Sequence, residues 1–177
     1  MVKIYSKIKK CRISNDKSLK KIIDFGNISL TGVFPKTKQI KTKVTPLELV
    51  FSKKSKLLQL KHNYDQKYLF GNNYGYQSSL NNSMIDHLNF KYKYLLRKTN
   101  IKKNEGILDI GSNDGTFLNN FSKNKIIGVE PCKNVEKLTR KKGYSTYPIY
   151  WNDETCNFLK KKYGKFDLIF SANTLSH

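Results

Sequence analysis

The stretch Ile107-Leu108-Asp109-Ile110-Gly111-Ser112-Asn113-Asp114-Gly115 decides how this 177-residue chain is read. Ile107, Leu108 and Ile110 form a short apolar run, the pattern of a strand covered on both faces of a parallel sheet. Asp109 interrupts that run, and a carboxylate there is costly unless hydrogen-bond donors or a ligand meet it. Gly111 and Gly115 permit positive φ and let the backbone approach a ligand closely. Thr116, Phe117, Leu118 and Phe121 follow at an apolar helical spacing, so the expectation is a strand, a tight loop and a helix.

The loop discriminates between two classes of cofactor. A dinucleotide fingerprint requires Gly-x-Gly-x-x-Gly. Here the glycines stand four apart, Asn113 takes the middle position, and the charge of Asp114 would repel a pyrophosphate at the helix N-terminus. A cationic, phosphate-free cofactor such as S-adenosylmethionine suits this loop better. Further on, Ile126-Ile127-Gly128-Val129-Glu130 reads as a second strand ending in a carboxylate, 19 residues after Gly111. A carboxylate in that place accepts both hydroxyls of a ribose. Taken singly, Asp109 reads equally as a loop cap and Glu130 as a solvated strand end; in this order and at this separation they point together to a nucleotide-like cofactor.

With these residues in place, the chain resembles the amino-terminal part of the sugar C-methyltransferase family, class I S-adenosylmethionine enzymes that methylate a carbon of nucleotide-linked deoxyketosugars. The similarity runs from about Cys11 to the last residue. It is carried by Cys11-Arg12, Leu47-Glu48-Leu49 leading to Leu57-Leu58-Gln59-Leu60, Tyr74-Gly75-Tyr76-Gln77-Ser78-Ser79 with His87, Asp109 to Leu118, Gly128-Val129-Glu130-Pro131, and Ser171 to His177. The Gly-Ser-Asn-Asp-Gly-Thr loop is the most family-specific of these pieces. The resemblance implies an α/β chain: a partial class I methyltransferase (Rossmann-like) sheet preceded by a small β-rich, zinc-ribbon-like module. The expected divisions are a module over 1–62, an aromatic-rich linker and helix over 63–100, and a partial cofactor-binding domain over 101–177.

The same resemblance assigns roles. Asp109, Gly111, Ser112, Asn113, Asp114, Gly115, Glu130, Pro131, Asn173 and His177 are expected to bind S-adenosylmethionine. Tyr74, Tyr76 and Ser78 are expected to line the sugar site, with Tyr76 and His87 as candidate catalytic groups. Tyrosines in such a stretch also serve simply as packing with wet hydroxyls, and His87 lies one position off the helical stripe Met84, Ile85, Leu88, Tyr92, Leu95 that spans about 80–97. Asn152 and Asp153 follow the third strand, where related folds contact adenine, but Trp151-Asn152-Asp153-Glu154 reads equally as a helix cap.

Two departures from the family pattern stand out. Members typically carry two Cys-x-x-Cys pairs that close a tetrahedral zinc site. Here Cys11 is followed at the third position by Ser14, and the second pair falls on Ser52 and Ser55. Serine hydroxyls stay protonated near neutral pH and do not replace thiolates, so no metal is expected and the module loses a source of folding energy. Cys132 and Cys156 have no metal spacing and read as small packed residues. The second departure is extent: a class I sheet usually has seven strands, and four are legible, near 107–110, 126–130, 146–150 and 166–172. By resemblance, the remaining strands, the segment bearing the general base and a further domain lie beyond the last of them. The implied reaction is removal of a proton next to a sugar ketone, followed by attack of the enolate on the sulfonium methyl. The cofactor half alone is expected to be inactive, and its open sheet edge invites association with a second chain that completes the fold.

Composition bounds the remaining choices. Hydrophobic content of 38% with 12% aromatics suits a folded chain. No stretch approaches the roughly 20 apolar residues of a membrane span, and the start lacks the apolar core of a signal peptide. Three scattered cysteines give no disulfide framework, so the expected location is the cytoplasm, with no membrane partner. The formal charge of +21 is the signature of a nucleic-acid binder. It is built, however, from 31 lysines against three arginines, spread along the chain, whereas specific phosphate and base recognition leans on arginine. Steering of an anionic nucleotide-sugar is the reading preferred over nucleic-acid binding without catalysis, and a methyltransferase fold serving another acceptor remains the other alternative.

Overall fold

The structure, a computed structural model, describes residues 4–30, 32, 35, 37–39, 41–121 and 124–175. The chain divides into two compact units, Met1–Asn73 and Tyr74–His177.

The first unit is built from β1 (Tyr5–Lys7), β2 (Leu19–Ser29), β3 (Val44–Ser52), β4 (Leu57–Leu60), β5 (His62–Tyr64) and one turn of helix, α1 (Gln66–Leu69). Strands β2, β3 and β4 form an antiparallel sheet in that order, and β1 pairs antiparallel with β5. The strand-like runs at 22–25, 47–51 and 57–60 fall on β2, β3 and β4. Register shifts between Lys21 and Ile23 and between Asp24 and Asn27 mark irregularities in β2, the second of them containing Gly26 at φ +71°. The buried set of this unit is small and largely polar. Ile8, Cys11, Leu30 and Val50 share it with Thr45, Ser52, Gln59 and His62. Ile22, Phe25 and Ile28 of β2 remain exposed, so little apolar area drives this unit to fold.

The second unit contains α2 (Asn82–Lys98), β6 (Gly106–Ile110), β7 (Lys125–Val129), α3 (Lys133–Lys141), β8 (Ser145–Tyr147), α4 (Asp153–Tyr163) and β9 (Leu168–Phe170). The four strands are parallel, in the order β8-β7-β6-β9, so β6 is central. This mixed α/β arrangement is compatible with part of a Rossmann-like fold. Alternation along each strand sends its apolar residues to opposite faces. Ile107 and Ile126 join Phe117, Leu118, Phe121 and Leu88 of α2 in one cluster, with Met84, Tyr92 and Leu95 against it. Leu108, Ile110, Ile127 and Val129 join Leu159 of α4 in the other. Phe117 stacks on Phe170 with ring centroids 3.6 Å apart. Burial on both faces is what the continuous apolar runs require.

Two local expectations are corrected. The residues after the glycine loop form a short 3₁₀ turn, Leu118–Phe121, rather than an α-helix. Asn119 and Asn120 are poor helix formers, and the Asn120 side chain donates to the Phe117 carbonyl, a local bond that competes with helical pairing. The third strand stops at Tyr147 because Pro148 has no amide hydrogen to extend a ladder. Leu118 has no exposed surface, so Leu118→Ala is expected to lower the stability of the second unit by about 3 kcal/mol, read as a lower urea midpoint with the far-ultraviolet spectrum before unfolding unchanged.

Candidate functional site

The site expected from the sequence is assembled at the carboxyl ends of β6 and β7. Asp109 lies on the face of β6 that carries Ile107, beside Gly128 of β7. It is 2% exposed. Burial, reinforced by the nearby Glu130, pushes its pKa up to about 8. The chain then turns through Gly111 (φ +78°), Asn113 (φ +50°) and Gly115 (φ +76°). Two of these positions exclude a side chain outright. A Cβ at Gly111 would lie 2.1 Å from Thr174 Oγ1, and one at Gly115 would lie 2.9 Å from Thr139 Cγ2. The loop is thus clamped between the segment after β9 and helix α3.

Glu130 holds this loop from the neighbouring strand end. Its Oε2 accepts from the Asn113 amide at 2.9 Å and its Oε1 from the Cys132 amide at 2.8 Å. It is buried, and burial raises its pKa although those amides oppose the shift. Asp114 is equally occupied: Oδ1 accepts from the Thr116 amide and hydroxyl, and Oδ2 from the Ser79 amide. These bonds, with Lys142 nearby, hold its pKa below the usual carboxylate range against the opposing effect of burial. Asp114 therefore shapes the loop and carries no free oxygen pair toward a ligand.

The aromatic segment crosses over the loop as a strap. The Ser78 amide donates to Asn113 Oδ1 at 2.8 Å, Asn113 Nδ2 donates to the Tyr76 carbonyl at 3.2 Å, and Asn134 Nδ2 of α3 donates to the Tyr74 carbonyl at 2.7 Å. Tyr74 is half-buried, and burial together with the charges of Cys132 and Glu130 raises the pKa of its phenol. Tyr76 and Ser78 are thereby brought to Asn113 of the loop and Tyr74 to Asn134 of α3, with the Tyr74 phenol near Glu130. Asn173 sits exposed in the loop after β9, at φ +53°, next to the Thr174 that covers Gly111. His87 is exposed on α2 and is not brought to the strap. His177 lies outside the described residues. Asn152 caps α4 by accepting from the Thr155 amide at 2.8 Å, the second of its two readings.

Thr139, Asn134 and Thr146 were not legible as part of the site, whereas Ser112 was expected in it. Thr139 donates to the Asn113 carbonyl, Asn134 anchors the strap, and Ser112 and Thr146 present buried hydroxyls without a partner among the described residues. Both hydroxyls converge on Gly128, where an added Cβ would meet Ser112 Oγ at 2.7 Å and Thr146 Oγ1 at 3.0 Å. The one signal available for them was the glycine itself, since a glycine inside an apolar strand marks close approach by something else.

The first unit brings together the four positions of the expected metal site. Cys11 Sγ lies 3.2 Å from Ser55 Oγ, Ser14 Oγ lies 3.4 Å from Ser52 Oγ, and Gln59 Nε2 donates to Cys11 Sγ at 3.2 Å. Hydrogen bonds from Ser14 and Ser55 lower the pKa of the Cys11 thiol. Among the described residues no group of three or more His, Cys, Asp or Glu side chains is placed to hold a metal ion.

Comparison with known proteins relates this chain to methyltransferases. Residues 11–70 match a methyltransferase-associated family model described as "Putative zinc binding domain". Over 181 aligned positions the whole chain is 23% identical to the C-methyltransferase NovU of Streptomyces niveus, and it spans 43% of that protein's length. The chain is thus similar to the amino-terminal part of a C-methyltransferase. No helix among the described residues is long and apolar enough to cross a membrane.

Two outcomes are expected from this geometry. Gly128→Ala pushes a methyl into Ser112 and Thr146 and lowers stability by about 2 kcal/mol; adding Ser112→Ala, which removes the nearest atom, recovers part of the loss in thermal melts. Asp109 acts through pH. Its pKa is about 8 in the fold against an ordinary 3.8, so the folded state retains the proton between those values. Its contribution is complete below about pH 4, is lost as pH rises toward about 8, and is level above that. Asp109→Asn should abolish that slope and leave the chain more stable than the parent at pH 8, by on the order of 3 kcal/mol.

Proposed function

We propose that this chain forms the S-adenosylmethionine-binding part of a C-methyltransferase that acts on a nucleotide-linked deoxyketosugar. The observation that carries the reading is Asp109: a buried carboxylate near the end of a central parallel strand, beside a loop turned by positive φ values. A cation is the ligand that such a group favours, because ionisation then restores the interaction that burial removed. S-adenosylmethionine is cationic and, when bound, supplies an electrophilic methyl group. The backbone of Gly111 to Asn113 and the Asp109 carboxylate would hold its amino-acid end, Glu130 its ribose, and the strap at Tyr74 to Ser78 would exclude water and face the acceptor.

Glu130 keeps the geometry needed for this role. Each oxygen already accepts one amide hydrogen, and each retains a second acceptor site. The net charge of +21 supports attraction of an anionic nucleotide-sugar. The sugar specificity rests on the resemblance to sugar C-methyltransferases and on the similarity to NovU. β9 is an edge strand with Ile169 exposed, which supports completion of the sheet by further polypeptide, in the same chain or a second one. Binding without turnover is the expected behaviour of these 177 residues by themselves.

Isothermal titration of the full chain with S-adenosylmethionine tests the reading. Binding is expected to tighten between pH 6 and pH 9 as Asp109 ionises. Asp109→Asn should weaken it at least about tenfold, roughly 1.4 kcal/mol, and remove the pH dependence. Absence of any heat or melting shift at millimolar ligand would overturn the proposal. The acceptor is read separately, by supplying nucleotide-ketosugars together with the complementary part of a related enzyme and following methyl transfer.

A further inference from the structure

Four side chains occupy the corners of a metal site in the first unit, and their chemistry does not fit the metal. One thiol and three hydroxyls replace four thiolates, and hydroxyls that keep their protons do not complete a zinc shell. The Cys11–Ser55 and Ser14–Ser52 pairs instead stand 3.2 and 3.4 Å apart as hydrogen-bond partners.

The neighbouring residues show what holds the two loops in its place. Cys11 has no exposed surface, and Ser52 none either, so their polar atoms must be satisfied internally. Gln59, on β4, donates to the Cys11 sulfur and accepts from the Arg12 amide and from Arg12 Nη1. The Arg12 guanidinium goes on to the Leu60 carbonyl at 2.7 Å, the His62 carbonyl at 3.3 Å and Asn63 Oδ1 at 2.5 Å. Its planar fork thus ties the Cys11–Ser14 loop to four acceptors along β4 and β5, on Gln59, Leu60, His62 and Asn63. The Cys11 amide, bonded to the Asp16 carbonyl at 2.7 Å, closes that loop on itself.

We propose that the first unit is a metal-free descendant of a zinc-binding module, in which a thiol–hydroxyl cluster of Cys11, Ser14, Ser52 and Ser55, clamped by Gln59 and the Arg12 guanidinium, performs the cross-linking that a zinc ion performs in the four-thiolate form. The four side chains are held together although three of them are hydroxyls. Restoring the thiols is therefore sufficient to restore metal binding. The inference stands apart from the identity of the ligand bound by the second unit.

The test uses the full chain, purified without a histidine tag from medium containing zinc. The expected result for the parent is far less than one zinc per chain by elemental analysis, with a melting temperature unchanged by a strong chelator. The triple variant Ser14→Cys, Ser52→Cys, Ser55→Cys is expected to take up one zinc per chain, to melt at a chelator-sensitive temperature, and with cobalt(II) to show thiolate charge-transfer absorption. Arg12→Ala, in the parent, should lower the melting temperature regardless of metal or chelator. Stoichiometric zinc in the parent, with destabilisation on its removal, overturns the proposal. So does a folded triple variant that binds no metal, or an Arg12→Ala chain that melts with the parent.

Discussion

Asn113 is bonded at every polar atom to another residue of the second unit. Its amide donates to Glu130 at the end of β7, its carbonyl accepts from Thr139 on α3, its Oδ1 accepts from the Ser78 amide, and its Nδ2 donates to the Tyr76 carbonyl. The residue reaches these partners only because it adopts a positive φ, which asparagine tolerates better than most side chains. Loop, strand end, helix and strap are consequently fixed by one residue. The position that a dinucleotide loop reserves for a middle glycine is here occupied by a side chain that anchors the strap.

How far the sequence could be read follows from the range of each interaction. The parallel strands are visible because their apolar runs are local and buried on two faces, and the same holds for the stripe of α2. Asp109 and Glu130 stand out as charges at the wrong end of apolar runs. The strap is different in kind: Ser78 and Asn113 are separated by 35 residues, as are Ser79 and Asp114. Such bonds have no periodicity, and nothing in the residue types identifies which asparagine of 18 closes them. The 3₁₀ turn after the loop was misread as helix for the opposite reason, since its apolar spacing is correct while Asn119 and Asn120 supply a competing local bond. Asp114 was read as a charge beside the loop and as a cofactor-binding residue; its carboxylate accepts from Thr116 in the turn and from Ser79 after the strap.

The two units meet their polar requirements by different means. In the second, buried carboxylates and hydroxyls surround the glycine loop, and burial raises the pKa of Asp109 at its centre. In the first, the polar cluster is satisfied internally and contributes to the fold, with Arg12 providing directionality that a small apolar core cannot.

The topology of the sheet also sets an order of events during folding. β6 pairs with β7 across 19 residues of sequence but with the β9 segment across 61, and the contacts that seat the cofactor loop, Ser171 on the Ile110 carbonyl and Thr174 on Gly111, belong to the later pairing. Long-range closure is slow relative to local pairing. A chain emerging in order from its amino end would therefore hold β6 and β7 together, with Asp109 and its loop still open to water, until β9 arrives. The ligand site is among the last parts of the unit to acquire its shape, so a cofactor that binds there would act late, as a latch on a nearly finished fold rather than as its nucleus.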